Sequence, residues 1–401
     1  DTLTPSYSLK QFCMLLACFF TNFVFFGAVV ILAGAAVPEI LRTYSWRYVD
    51  MGAILAGGSI GYFVSTFLCG FLLRHWGPKR IIVYGLVLQA LGLSAFGQMS
   101  SLSINAIALL LIGLGQGGSE VVTNFCIVRI EHDGRSNLMN FVHAAFTAGA
   151  IAGPLGIGKL IDQGYPWQFA FLTLAFLSAL MALAFTQQSF EPVSNAIPQQ
   201  TQTPLGHLIS QPLMLLLTTL ILLYVGVEIG TSNWIAEYFV QALGASAATG
   251  AYTVSLFWLG LLAGRLSVAV LYRSDDQAIL LVTACIISAI SLSLGLWGDG
   301  FVWKAACFFS TGVGFSIVYP VVVVLAGRYF PDEQEMAVAI ISTGGGIGSF
   351  AFPFAMASLA DSWGIEHAFW FYALIALAMS GVAFFTLVVV RNLSAKRAGK
   401  S

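Results

Sequence analysis

Gln116, Glu120 and Asn124 recur every four residues, so a helix through them lines up two amides on one stripe with a carboxylate between. The run that holds them, Ile104 to Arg129, is otherwise apolar and rich in glycine. At about 1.5 Å per helical residue, Glu120 lies about 15 Å in from Arg129, near the middle of a bilayer core about 30 Å thick. A charge at that depth costs about 3 kcal/mol on insertion scales, so an acid there is expected to face an interior cavity or pathway. A carboxylate flanked by amides suits a polyhydroxylated solute, because each group offers directional donors or acceptors to hydroxyls in a low-dielectric site. For the amides the alternative is hydrogen bonding between helices.

Further polar side chains interrupt other apolar runs. Asn140, His143 and Thr147 fall on a comparable stripe. His143 is expected to line the cavity, with proton relay the less favoured role. Tyr224 and Glu228 stand one turn apart, ahead of Gly230-Thr231-Ser232-Asn233-Trp234. A glycine followed by three small polar residues predicts an unwound helix bordering a cavity. Glu228 is a substrate or proton site, or else a structural hydrogen bond, and Glu237 is expected at a solvated mouth. Trp234 offers an indole face to a sugar ring, whereas Trp258 is expected in the core. Trp46, Trp76, Trp167, Trp297, Trp303, Trp363 and Trp370 fall at helix ends, where an interfacial aromatic belt accounts for them.

The elements that must position these groups are membrane helices. Of 401 residues, 58% are hydrophobic and only 9% charged, against about a quarter charged in a soluble domain. The apolar runs place twelve spans near 9–37, 48–73, 81–99, 104–129, 137–161, 166–186, 212–241, 246–272, 277–298, 301–329, 334–360 and 366–390. Residues 1–186 form a first six-helix bundle and 212–401 a second with a basic tail. Between them, 187–211 is rich in Pro, Ser, Gln and Thr and is predicted to be a cytoplasmic linker. With both termini cytoplasmic, twelve Lys and Arg lie on the inner side and four on the other, Arg42, Arg47, Lys159 and Lys304, while Arg265 sits within a span. No cleavable signal is expected, because the first apolar run is too long, and Asp1 in place of Met implies a trimmed start.

The net charge of −1 and the lack of a phosphate-binding glycine loop argue against nucleic acid and against ATP-driven pumping. The six cysteines have no metal-ligand spacing and are expected to pack as free thiols, and no cofactor or metal is called for. Neither a nucleophile–base set nor a metal cluster emerges, so the chain is not expected to be an enzyme. The two halves echo each other. The fourth and tenth spans end in Arg129 and Arg328, and the fifth and eleventh carry Gly149, Gly153 and Gly156 against Gly344, Gly345, Gly346 and Gly348. Close packing through small faces is the first expectation for these glycines.

Gly70-Phe-Leu-Leu-Arg74-His75-Trp76-Gly77-Pro78-Lys79-Arg80 resembles the major facilitator superfamily's motif between its second and third helices, with Arg74 where that motif has Asp. Gly113-Leu-Gly115, Glu120 through Asn124-Phe125 and Arg135-Ser-Asn137-Leu138-Met-Asn140 are similar to its fucose, galactose and glucose proton-symporter family. So are Tyr224-Val225-Gly226-Val-Glu228, Tyr238, Gly264-Arg265 and Ser316-Ile-Val-Tyr319-Pro320. The resemblance implies an all-α fold of two pseudo-symmetric six-helix bundles, with a central cavity lined by spans 1, 2, 4, 5, 7, 8, 10 and 11. It also implies sugar contacts at Glu120, Asn140 and Tyr319. That family's acid on the first span is missing here, where Asn22 is the most polar interior side chain.

The expected function is alternating-access transport of a hexose or related polyol, as a proton symporter working through Glu120 and Glu228. The alternatives are a sugar uniporter and a proton antiporter for lipophilic compounds, whose fifth-span motif Gly149 to Gly158 partly resembles. The expected partners are a small-molecule substrate, H+ and the lipid of a bacterial inner membrane, with the chain acting as a monomer.

Overall fold

A computed structural model describes residues 9–130, 137–190, 205–272 and 276–398. The chain divides into two compact units, Asp1–Gln199 and Gln200–Ser401. The first contains α1 (Leu9–Tyr44), α2 (Tyr48–Ala95), α3 (Leu102–Ile130), α4 (Asn137–Asp162) and α5 (Gln168–Thr186). The second contains a short α6 (Leu205–Ile209), then α7 (Pro212–Leu243), α8 (Ala247–Leu271), α9 (Gln277–Trp297), α10 (Phe301–Phe315), α11 (Val318–Tyr329), α12 (Gln334–Trp363), α13 (Ile365–Ala368) and α14 (Trp370–Ala398). No strand occurs among the described residues.

Among the described residues, eleven helical stretches are long and apolar enough to cross a bilayer. One of them, α2, is 48 residues long and turns at Gly77, whose φ of +72° and ψ of 164° leave the helical region. Pro78, fixed in φ and without an N–H, starts the helix afresh after that bend. Counted on either side of Gly77, α2 supplies two spans, which makes twelve.

In the first unit α1 packs on α4, and α2 on α3 and α5. In the second, α7 packs on α12 and α14, and α9 on α10 and α14. The α1–α4 crossing is very close, since a Cβ on Gly149 would lie 1.8 Å from the Val24 carbonyl oxygen. At the corresponding α7–α12 crossing, a Cβ on Gly348 would lie 2.1 Å from the Leu222 carbonyl oxygen. Aromatic packing fills the first unit, where Phe19 is fully buried with its ring 5.5 Å from Phe185 and 6.0 Å from Phe190.

Two local expectations are corrected. Residues 230–234 stay helical within α7, and their small side chains serve packing. Gly230 makes room for Tyr372, whose hydroxyl would lie 2.3 Å from a Cβ there, and Ser232 Oγ accepts from the Trp258 indole at 2.8 Å. The break falls instead between α10 and α11, at Ser316-Ile317. Trp167 is buried rather than interfacial, wedged against Phe96, Phe171 and Tyr44, and its indole N–H donates to Thr43 Oγ1 at 3.2 Å. The six cysteines are free thiols; Cys69, Cys126, Cys285 and Cys307 are buried in the packing, whereas Cys13 is exposed.

Candidate substrate-binding site

The amide–carboxylate stripe lies on α3, an uninterrupted helix. Glu120 is half-buried, and its Oε2 accepts a short hydrogen bond from the Tyr62 hydroxyl of α2. Gln116, one turn earlier, is buried, and Asn124 is half-buried one turn later. One terminus of each amide, Gln116 Nε2 and Asn124 Oδ1, is buried with no hydrogen-bond partner among the described residues. Unsatisfied buried polar atoms cost about 1–3 kcal/mol each, and two of them lie one turn to either side of Glu120. No cation pairs with Glu120 among the described residues.

Asn22 on α1 is buried, and its Nδ2 donates to Ser119 Oγ at 2.7 Å, next to Glu120 in sequence. Asn140 and His143 are exposed on α4. The His143 ring stands edge-on to Phe23 at 5.8 Å, beside Asn22 in the chain, and Thr147 Oγ1 donates to the His143 carbonyl. The structure therefore joins Tyr62 to Glu120 and Asn22 to Ser119, and sets Asn140 and His143 on the helix that packs on α1. Tyr62 was not singled out in the sequence. It follows the Gly57-Gly58 and Gly61 run that brings α2 close to α3, and that close approach was the available signal.

The second unit holds a separate polar cluster. On α7 the Tyr224 hydroxyl donates to Glu228 Oε1 at 2.7 Å, and both residues are buried. Arg265 of α8 acts electrostatically on both. Its Nε also donates to the Ser316 carbonyl at 3.1 Å. That carbonyl would ordinarily accept from the residue four positions on, which is Pro320 and has no N–H. Arg265 thus caps the helix break instead of extending to the membrane face. Tyr319, just past the break, shares a hydrogen bond with Ser342 of α12 at 3.0 Å. Trp234 is fully buried, and Glu237 is buried and accepts from Gln241 at 2.9 Å, so it is no solvated mouth residue.

Arg265→Met should lower stability by about 1–3 kcal/mol, the cost of an orphaned buried carbonyl. Pro320→Ala restores an N–H for Ser316, so melting of the double variant should recover part of that loss. Equal losses from Arg265→Met with and without Pro320 would show that the cap is immaterial.

A family model for the Major Facilitator Superfamily matches residues 18–326 and 276–401. The chain belongs to the major facilitator superfamily. It is similar to the glucose/mannose transporter GlcP of Bacillus subtilis (strain 168), at 22% identity covering 84% of this chain and 87% of that protein. A TsgA homolog of Buchnera aphidicola subsp. Baizongia pistaciae is 19% identical, covering 94% of this chain and 95% of its own. Among solved structures, a mutant of the nucleoside transporter NupG superposes with a TM-score of 0.79 at 13% identity, covering 94% of this chain and 99% of the other. This superfamily member is accordingly a multi-pass membrane transporter of a small molecule, not an enzyme. Its polar clusters lie on spanning helices, where buried acids mark pathways.

Proposed function

We propose that this transporter carries a hexose or related polyol by alternating access, as a proton symporter. The observation that carries the reading is the pair of unpartnered amide termini on Gln116 and Asn124, flanking Glu120. A hydroxyl both donates and accepts, so adjacent hydroxyls of a polyol would satisfy both amides and the carboxylate together. An apolar drug would leave them unpaired. The similarity to a glucose/mannose transporter supports the same substrate class.

Asn140 and His143 on α4, with Asn22, complete the proposed contacts of the first unit. Tyr224, Glu228, Trp234 and Tyr319 are the proposed contribution of the second. Coupling is assigned to Glu120 first, because an uncompensated charge deep in the chain is costly and loading a proton removes it. Glu228 is the second candidate, with Arg265 as its counter-charge. A uniporter is the rival reading, favoured by α1, where Asn22 is committed to Ser119 and the one acid, Glu39, sits near the helix end paired with Arg42. The proposed setting is a bacterial inner membrane, with a monomer and both termini in the cytoplasm.

The test is thermal stabilisation of the purified protein by hexoses, polyols, nucleosides and a lipophilic cation. A true substrate at 100 times its Kd stabilises by about 2.7 kcal/mol. Stabilisation by a hexose or polyol that is unchanged in Trp363→Ala, at an exposed helix end, is the expected result. A response to the lipophilic cation alone would overturn the sugar reading.

A further inference from the structure

The bend in α2 carries charges that lie outside the proposed solute contacts. Arg74, Lys79 and Arg80 lie within seven residues around Gly77, and none of them makes an ion pair among the described residues. Arg74 stands where the superfamily motif has Asp, so the acid that could have neutralised its neighbours is absent. Beside the bend a cavity of about 690 Å³ opens between residues 75–80 and residues 187–190; Lys79 and Arg80 line it, Arg74 precedes the lining by one residue, and no acid among the described residues lines it. His75 faces back into its own helix, with Nδ1 2.9 Å from the Phe71 carbonyl.

Toward the membrane the same helix turns apolar and exposed. Phe67 and Phe71, one turn apart, are 76% and 62% exposed, and Trp76 stands edge-on to Tyr84 at 6.0 Å. An apolar strip leading into a cationic cavity at a bilayer boundary matches a glycerophospholipid, with the acyl chain along the phenyl rings and the phosphate at the rim. A choline or ethanolamine headgroup would bring its own cation beside Lys79 and Arg80, where no carboxylate among the described lining residues receives it. A net-negative headgroup avoids that clash.

We propose that this cavity binds the headgroup of an anionic glycerophospholipid in the adjoining leaflet. The proposal is independent of which solute is carried.

Native mass spectrometry of the delipidated full chain tests it, with dioleoylphosphatidylglycerol, dioleoylphosphatidylcholine and inorganic phosphate as separate probes. The expected result is one retained phosphatidylglycerol per chain, at least about tenfold tighter than phosphatidylcholine, and no displacement by millimolar phosphate. The R74Q/K79Q/R80Q variant should lose that preference, and R74K/K79R/R80K should keep it. Equal retention of the two lipids by the wild type would overturn the proposal. So would an undiminished preference in the neutralised variant, or displacement of phosphatidylglycerol by phosphate, which would indicate a soluble-anion site. Should the neutralised variant fail to fold, the wild-type comparison of the two lipids and the charge-conserving variant still decide.

Discussion

Glu120→Gln abolishes uphill accumulation and substrate-induced proton uptake in proteoliposomes, while binding and counterflow exchange persist; that is the expected result if Glu120 is the coupling acid. Gln keeps the shape of the side chain and still accepts the Tyr62 hydroxyl, but it cannot titrate. Glu120→Ala should go further and remove binding itself. A hydrogen bond to a charged group is worth about 1.5–3 kcal/mol, so its loss weakens affinity by about 10- to 150-fold. Tyr62→Phe separates the two roles. It withdraws the one described donor to Glu120 without touching the carboxylate, and should cost about tenfold in affinity while leaving coupling intact. The assay is pH change on adding substrate to proteoliposomes, with titration calorimetry for affinity. Uphill accumulation by Glu120→Gln would move coupling to Glu228. Wild-type transport that ignores proton and sodium gradients alike would leave Glu120 as a substrate ligand only.

What the sequence disclosed follows the range of its interactions. Membrane spans were legible because each is a local apolar run, and the Tyr224–Glu228 pair because its members share one helix face. Contacts between helices were not. Tyr62 with Glu120 joins residues 58 apart, Arg265 with Ser316 joins residues 51 apart, and Asn22 with Ser119 joins residues 97 apart. Such pairs depend on how each helix is rotated about its axis, which periodicity alone does not set. The misplaced helix break has a similar origin. The small polar residues at 230–233 resemble a weak point, but the partners that fill the space, Tyr372 and Trp258, come from distant helices. Pro320 was the better local signal, since a missing N–H is a property of the chain itself. Glu237 and Trp167 were misplaced because burial at a helix end depends on neighbouring elements.

The repeated glycines show how packing separates residues that sequence treats alike. Gly149 and Gly156 both lie on α4, seven residues apart, and both belong to the glycine pattern that the two halves share. A Cβ at Gly149 would lie 1.8 Å from the Val24 carbonyl oxygen, whereas one at Gly156 meets nothing within 4 Å. The first contact is far inside van der Waals range and its partner is backbone, so only a parting of α1 and α4 relieves it. Forcing extra atoms into a closed contact costs about 1–3 kcal/mol and occasionally more. Gly149→Ala should therefore sharply lower the melting temperature in detergent and reduce the folded fraction on size exclusion. Gly348→Ala should do the same, because its Cβ would meet the Leu222 carbonyl oxygen at 2.1 Å. Gly156→Ala should be neutral or slightly stabilising, since alanine favours a helix by about 0.5–1 kcal/mol over glycine. Gly149→Ala melting alongside Gly156→Ala would show that the α1–α4 crossing is looser than the structure has it, and would loosen with it the placement of Asn22 beside Ser119.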